Sequence, residues 1–394
     1  MLQAVTEGAR VVNASLSTNN LVDLNNFLYA RPLRKAMSSG DEVLFAFAAG
    51  NNGMDYKLVA PASLALEFSN AIAVGGTDKT RKRFRSGNES SNFGEGLLYA
   101  PGDSVPTICT FCAGGYTSFF GWTSAAAPFV SSVAGLMLSR DSNLTGSELK
   151  RRLFLSADCT IGQDATLNGG RILDAFAAVE IADKEITELI AGVDGSHNAL
   201  PKGSADPFTT HTSPSGVGQA IVSSGAPGGS FVEGGTVCGK RSQQIATASP
   251  YDIEATFRRA FQLPVGFSSP VLRLWVVADD GARIFLNGHE LPTTNLLEGP
   301  WGFGPGGVFP LCSQVSLPEC PERSIHRATG FPALIEVREE NCPGCFEEGP
   351  NTLEFHVVNH PFPPSPGTYG VPQGKGGDGD AMNLEYEGYV AFNR

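Results

Sequence analysis

The amino-acid sequence predicts an α/β fold: a parallel-sheet domain in the first half, then an antiparallel β-sandwich of jelly-roll type. Three observations carry this. Residues 41–53, DEVLFAFAAGNNG, are an apolar run ending in a glycine turn, the pattern of a parallel strand covered on both faces. Residues 119–138, FFGWTSAAAPFVSSVAGLML, are an apolar helical run opened by small residues. From Tyr251 onward short strands alternate with turn signals, and no helix-length periodic segment intervenes.

These patterns divide the chain at residues 1–185, 186–250 and 251–394. The middle stretch is rich in Gly, Ser, Pro and Thr without sustained periodicity, and is expected to be a linker with at most one early strand. In the last part, Ile253–Phe261 alternates in part and Val271–Ala278 is a short apolar run. Asp279-Asp280-Gly281 and Asn287-Gly288 are turn signals on either side of Ala282–Leu286, and Leu353–Val357 and Leu384–Tyr386 alternate cleanly.

The 394 residues have room for two or three domains with sizeable cores. A net charge of −12 argues against nucleic acid and against anionic membrane surfaces as partners. No window holds eighteen uninterrupted apolar residues, so no transmembrane span is expected. Met1 is followed by a mixed polar segment without the basic start and apolar centre of a signal peptide.

Eight cysteines and three Asn-X-Ser/Thr acceptors, at Asn13, Asn88 and Asn143, favour disulfides in an oxidising compartment. Cys109/Cys112 and Cys342/Cys345 have Cys-X₂-Cys spacing, and Cys312 and Cys320 complete a four-cysteine set with the latter pair. Zinc needs a ligand-bearing helix or knuckle pattern that these loops lack, so disulfides are preferred there, with connectivity open.

The segment 119–138 places Ser124 at the mouth of its helix. First-turn N–H groups and the positive end of the helix dipole favour an incoming oxyanion there. Pro128 is expected in the first turn or so, where a missing donor costs least. The plainer alternative is a buried helix capped by Thr or Ser. Asn51, at the carboxyl end of the 41–53 strand, is placed to donate its side-chain amide into a crevice. With the Ser124 N–H it would form a two-donor oxyanion hole; the alternative is an ordinary Asn-Asn-Gly turn.

Six segments, collinear along the chain, resemble the subtilisin-like serine peptidases. Trp122-Thr123-Ser124-Ala125-Ala126-Ala127-Pro128-Phe129-Val130 resembles the family's Gly-Thr-Ser-Met-Ala-Ala-Pro-His-Val, and Ala48-Ala49-Gly50-Asn51 its oxyanion block. Asn70–Gly76, Ala100-Pro101-Gly102 and Gly169–Ala175 resemble the next strand, the loop before the serine and the closing helix. Val11–Ser17 resembles the strand that pairs with substrate. The resemblance implies an acyl-enzyme endopeptidase acting on proteins or peptides, with Ser124 as nucleophile and Asn51 as oxyanion donor. It further implies that Ser15, Leu16 and Ser17 bind the substrate backbone and that Ala49 and Gly50 wall the specificity pocket. Secretion follows from the family, the cysteines and the acceptor sequences. No cofactor is certain, and structural calcium stays open.

The departures matter as much. Trp122 stands where the family has glycine, with Gly121 expected to do that work, and it threatens to crowd the pocket or the oxyanion hole; Phe129 replaces a non-catalytic histidine. The family triad runs Asp, His, Ser, yet all six histidines, from His197 to His360, follow Ser124. The chain therefore reads as an amino-terminally truncated, incomplete subtilisin-like domain, inactive as it stands. The rival is a non-catalytic pseudoprotease whose sandwich binds glycan or protein. A lipase-like hydrolase is disfavoured, because no Gly-X-Ser-X-Gly surrounds Ser124. Residues 230–394, through Leu272–Leu291, resemble galactose-binding-like jelly rolls, modules often appended to secreted hydrolases. There Asp279 and Asp280 are read as turn formers over calcium ligands, and Trp275, Trp301 and Tyr369 as core aromatics over sugar platforms. His356 is expected to face solvent.

Overall fold

The computed structural model describes residues 1–17, 30–110, 114–159, 170–223, 242–247, 252, 254–278, 281–291, 333–358 and 383–394. Two compact units result, Met1–Lys184 and Glu185–Arg394.

The strands of the first unit are β1 (Val11–Ala14), β2 (Leu44–Ala48), β3 (Ala71–Thr77), β4 (Arg85–Ser86), β5 (Glu89–Ser90), β6 (Leu98–Pro101), β7 (Val105–Ile108), β8 (Tyr116–Phe120), β9 (Asp158–Cys159) and β10 (Arg171–Ile172). Its helices are α1 (Leu2–Thr6), α2 (Ala30–Ser39), α3 (Trp122–Arg140), α4 (Gly146–Ser156) and α5 (Ala175–Glu180). Six strands form the main sheet in the order β1-β2-β3-β6-β10-β9, parallel except for the β9–β10 pair. Every residue of β2 and of β3 is buried, as strands covered on both faces require.

Alternation along β2 sorts its side chains between two cores. Leu44, Ala46 and Ala48 meet Ile72, Val74, Leu98 and the α3 residues Ala126, Ala127, Val130, Val133, Ala134 and Met137. Phe45 and Phe47 turn the other way, onto Ala71, Ala73, Tyr99 and the α2 residues Ala36 and Met37. The alanines at the start of α3 let the helix lie close on the sheet, which holds its first turn at the carboxyl ends of the parallel strands.

The second unit contains β11 (Glu185–Ile190), β12 (Ala205–Ser213), β13 (Gly216–Val222), β14 (Ile245–Ala246), β15 (Glu254–Leu263), β16 (Ser268–Ala278), β17 (Gly281–Leu286), β18 (His289–Glu290), β19 (Ala333–Arg338), β20 (Gly349–Val358) and β21 (Asn383–Asn393). All pair antiparallel in one sheet, ordered β18-β17-β20-β15-β12-β13-β14-β21-β16-β19, with β11 added on β21. Four strands separate β20 from β21 in that order, yet the rings of Phe355 on β20 and Tyr386 on β21 stack with centroids 4.9 Å apart. The sheet therefore folds over on itself into two layers. One apolar cluster, with Phe257, Ile284 and Phe355 from one half and Leu272, Leu274, Ile335 and Val390 from the other, fills the space between.

The expected linker is corrected. Its described residues supply β11 through β14, and the second unit starts at Glu185. The error has a physical source. The β12–β13 pair is a hairpin closed at Ser213 and Gly216, built from Thr, Ser, His and Gln, so its strands carry polar residues that composition assigns to loops. Asn287-Gly288, by contrast, forms the expected two-residue hairpin turn, with φ of 49° and 81°.

Cys342 and Cys345 are joined in a disulfide, which removes them from any zinc site. Trp275 is 5% exposed and offers no platform for a sugar ring. His356 is half-buried, its ring 4.4 Å from that of Phe285 and its Nε2 3.2 Å from Glu354. Asp279, Asp280, Trp301, Tyr369, Cys112, Cys312 and Cys320 lie outside the described residues.

Within the second unit, Glu385 on β21 is fully buried, with the Ser242 hydroxyl donating to its Oε1 at 2.6 Å. Burial pushes its carboxyl up to about 8, and the neighbouring Glu387 adds to this, while Ser242 opposes it. The folded state thus holds a proton that the unfolded chain releases near the ordinary carboxylate range. Stability from this group is fully present below that range and is lost as pH rises toward 8, by up to about 1.4 kcal/mol per pH unit. Denaturant midpoints measured at pH 5, 7 and 8.5 should fall across the series, and Glu385→Gln should flatten the fall. An equal slope in the variant would assign the effect elsewhere.

Candidate active site

Gly121 is the N-cap of α3, with extended backbone, and offers no side chain to the first turn. Asn51 supplies the missing acceptor. Its Oδ1 receives the Thr123 N–H at 3.1 Å and the Thr123 hydroxyl at 2.9 Å. Because a backbone N–H can only donate, this contact fixes which end of the Asn51 amide is oxygen. Nδ2 is the donor end of that amide. The Trp122 N–H is taken by the Gly102 carbonyl at 2.6 Å. Ser124 is third in the helix, so its N–H falls in the first turn, where a helix provides no internal acceptor. Two consecutive amides of the first turn, those of Trp122 and Thr123, are thus occupied.

Thr123, fully buried, ties this turn to the strand end. Its Oγ1 also accepts the Gly50 N–H at 3.2 Å. Asn92 braces the same turn from behind. Its Oδ1 accepts from the N–H groups of Asn52 (3.0 Å) and Met54 (3.1 Å), and its Nδ2 donates to the Ala49 carbonyl at 2.8 Å. Gly50 has φ +101°, and a Cβ there would sit 2.5 Å from Asn92 Nδ2, so the turn demands glycine. Ala49 and Gly50 are both buried at the strand end. Neither Thr123 nor Asn92 was singled out from the sequence. The signal was a buried Thr beside the serine, and an Asn in a loop whose partners are all backbone groups.

Pro128 is the seventh residue of α3, in the second turn and not the first. It lacks the N–H that would bond to the carbonyl four residues back, that of Ser124. Ser15 fills the gap: its Oγ donates to the Ser124 carbonyl at 2.9 Å. In return the Ser124 hydroxyl lies 3.5 Å from the Ser15 carbonyl. Asn13 extends the cluster, donating to Ser15 Oγ at 3.0 Å and accepting from Ser131 Oγ at 3.2 Å. The structure therefore brings Ser15, Asn51 and Ser124 together. Leu16 is exposed and Ser17 is half-buried in the segment that follows β1.

Trp122, and not Gly121, carries the left-handed backbone, with φ +64°. A non-glycine residue there bears a conformational cost, which explains the glycine in the resembling motif. The Trp122 ring packs edge-on against Phe84, with centroids 6.4 Å apart. Its backbone presses on Gly102, where an added Cβ would lie 3.0 Å from the Trp122 carbonyl oxygen, and this accounts for the Ala100-Pro101-Gly102 loop.

A chain-order match of this kind can be tested against known families, and residues 1–179 match the model of the subtilase family. The matched residues lie within the first unit. Among curated proteins, the chain is 37% identical over 114 residues to rat (Rattus norvegicus) proprotein convertase subtilisin/kexin type 9, covering 29% of this chain and 16% of that protein. Among solved structures, a cold adapted subtilisin-like serine proteinase is 30% identical over 40% of this chain and 52% of its own, with a TM-score of 0.31. The prenylagaramide maturation protease PagA is 26% identical over 45% and 63%, with a TM-score of 0.37. The chain thus spans less than two thirds of the length of each of these relatives.

Replacing Thr123 by Val keeps the shape but leaves the Gly50 N–H without its acceptor and Asn51 Oδ1 with one donor in place of two. A loss of about 1–3 kcal/mol is expected from the buried, unpaired donor. Ser15→Ala should cost about 1 kcal/mol by leaving the Ser124 carbonyl without its hydroxyl partner. Urea denaturation of both variants checks this; an unchanged midpoint in each would show that these tethers carry no stability.

Proposed function

We propose that residues 1–184 are the serine and oxyanion portion of a serine endopeptidase acting on proteins or peptides through an acyl-enzyme. Ser124 Oγ is the nucleophile, and Asn51 Nδ2 with the Ser124 N–H stabilises the tetrahedral oxyanion. Ser15, Leu16 and Ser17 present backbone groups to the substrate strand, and Ala49 with Gly50 walls the pocket for the residue before the scissile bond. The observation that supports this reading is the Thr123–Asn51 pair, which sets the asparagine amide beside the first turn of the Ser124 helix.

A serine hydroxyl also needs a base. All six histidines follow residue 184 in the sequence, so none lies in the unit that holds Ser124. Without Asp and His, what remains of such a site is about 10³–10⁴-fold over water. Purified residues 1–394 are therefore expected to show no peptide turnover and no labelling by a fluorophosphonate. Cleavage that disappears in Ser124→Ala would overturn the inactivity of this chain while supporting the nucleophile.

The second reading is a non-catalytic pseudoprotease whose β-sandwich binds glycan or protein. It is favoured by the same lack of histidine and by Trp122 in a left-handed position. A chain extended upstream to include Asp and His blocks separates the two, because a folded, extended protein that resists fluorophosphonate supports the pseudoprotease. The Cys342–Cys345 disulfide, together with the family, supports secretion.

A further inference from the structure

Three acceptor sequences for N-linked sugar occur in the first unit, and the fold treats them differently. Asn88 is exposed at the apex of the β4–β5 hairpin, in the two-residue turn Gly87-Asn88 between the paired residues Ser86 and Glu89. Asn143 is exposed in the turn between α3 and α4, after Asp141, whose Oδ1 accepts the Asn143 N–H at 2.9 Å. Its hydroxyl partner, Thr145, caps α4 by accepting the Glu148 N–H at 3.2 Å. At both positions a substituent on Nδ2 projects from a turn, with no strand or helix of its own to displace.

Asn13 is exposed as well, so exposure alone does not separate the three. Its hydrogen bonding does. Asn13 lies within β1, paired in register with Ala46, and both ends of its amide are engaged: Nδ2 on Ser15 Oγ, Oδ1 on Ser131 Oγ. Ser15 in turn holds the Ser124 carbonyl. A sugar on Asn13 Nδ2 would stand against Ser15, whose hydroxyl makes the contact that replaces the helix bond lost at Pro128.

We propose that Asn88 and Asn143 are N-glycosylation sites, and that Asn13 stays unmodified because its amide belongs to the serine cluster. This rests on the secretory reading above. The donor is an oligosaccharide linked through diphosphate to a lipid. Asn Nδ2 forms a bond to the anomeric carbon, the bond from that carbon to the diphosphate oxygen breaks, the lipid diphosphate leaves, and Nδ2 gives up one proton to a base of the transferase.

The test secretes residues 1–394 from a eukaryotic host behind a heterologous signal, then compares intact mass and peptide maps before and after peptide N-glycosidase. The expected result is two glycans, with Asn converted to Asp at 88 and 143 and unchanged at 13. Asn88→Gln and Asn143→Gln should each remove one glycan. Sugar on Asn13 in secreted protein, or secreted protein bare at 88 or 143, overturns the assignment. Because the signal is supplied, protein from its own source that lacks both glycans while the secreted form carries them would overturn the secretory reading alone.

Discussion

The contact between Asn51 and Thr123 joins segments 72 residues apart and decides what the first unit presents at its strand ends. A helix start without a side-chain cap leaves several N–H groups in search of acceptors. Here the acceptor comes from the turn after β2, so the contact that closes the helix also fixes which end of the Asn51 carboxamide is oxygen. Local stability and chemical orientation are thus one interaction. Thr123 must be Thr or a close mimic because it donates to Asn51 and accepts from Gly50 with one hydroxyl.

A second tether follows from a defect in the helix. Pro128 removes one intrahelical bond, and the orphaned carbonyl belongs to Ser124 itself. Ser15 satisfies that carbonyl, which pins the carboxyl end of β1 to the turn that carries Ser124. The apolar packing of α3 on β2 and β3 positions the helix broadly; these two polar contacts fix the rotation and depth of its first turn. Asn92 bonds through its side chain to backbone groups of the turn that carries Asn51 and braces that turn.

The sequence showed the strands and helices wherever burial is two-sided. Leu44–Ala48 and Trp122–Arg140 are apolar enough that no other element fits them. It failed where a strand is polar, as in β12 and β13, because half of each strand's residues face away from the core and composition then resembles a loop. Ser124 and Asn51 stood out as candidates through a motif order. Thr123, Asn92 and the compensating role of Ser15 did not, since each depends on which backbone group the fold leaves unpaired. Pro128 and Gly121 were misplaced for a related reason: helix starts are set by the cap, and this helix draws its cap from another strand. Backbone sign at Trp122 has no local signal at all, because tryptophan is a poor choice for φ near +64° and the position is imposed by its neighbours Gly76 and Gly102.

The separability of the two halves of serine chemistry follows from how this unit is built. Stabilising an oxyanion requires donors fixed in space, and in the function proposed above these are the first turn of the helix and an asparagine whose oxygen is committed to Thr123. Moving a proton requires a titratable group against the hydroxyl, and the Ser124 hydroxyl instead faces the Ser15 carbonyl at 3.5 Å. A carbonyl can orient that hydroxyl but cannot take its proton. The residues that hold this turn stabilise the unit in their own right, Asn51 through Thr123 and Ser15 through the Ser124 carbonyl.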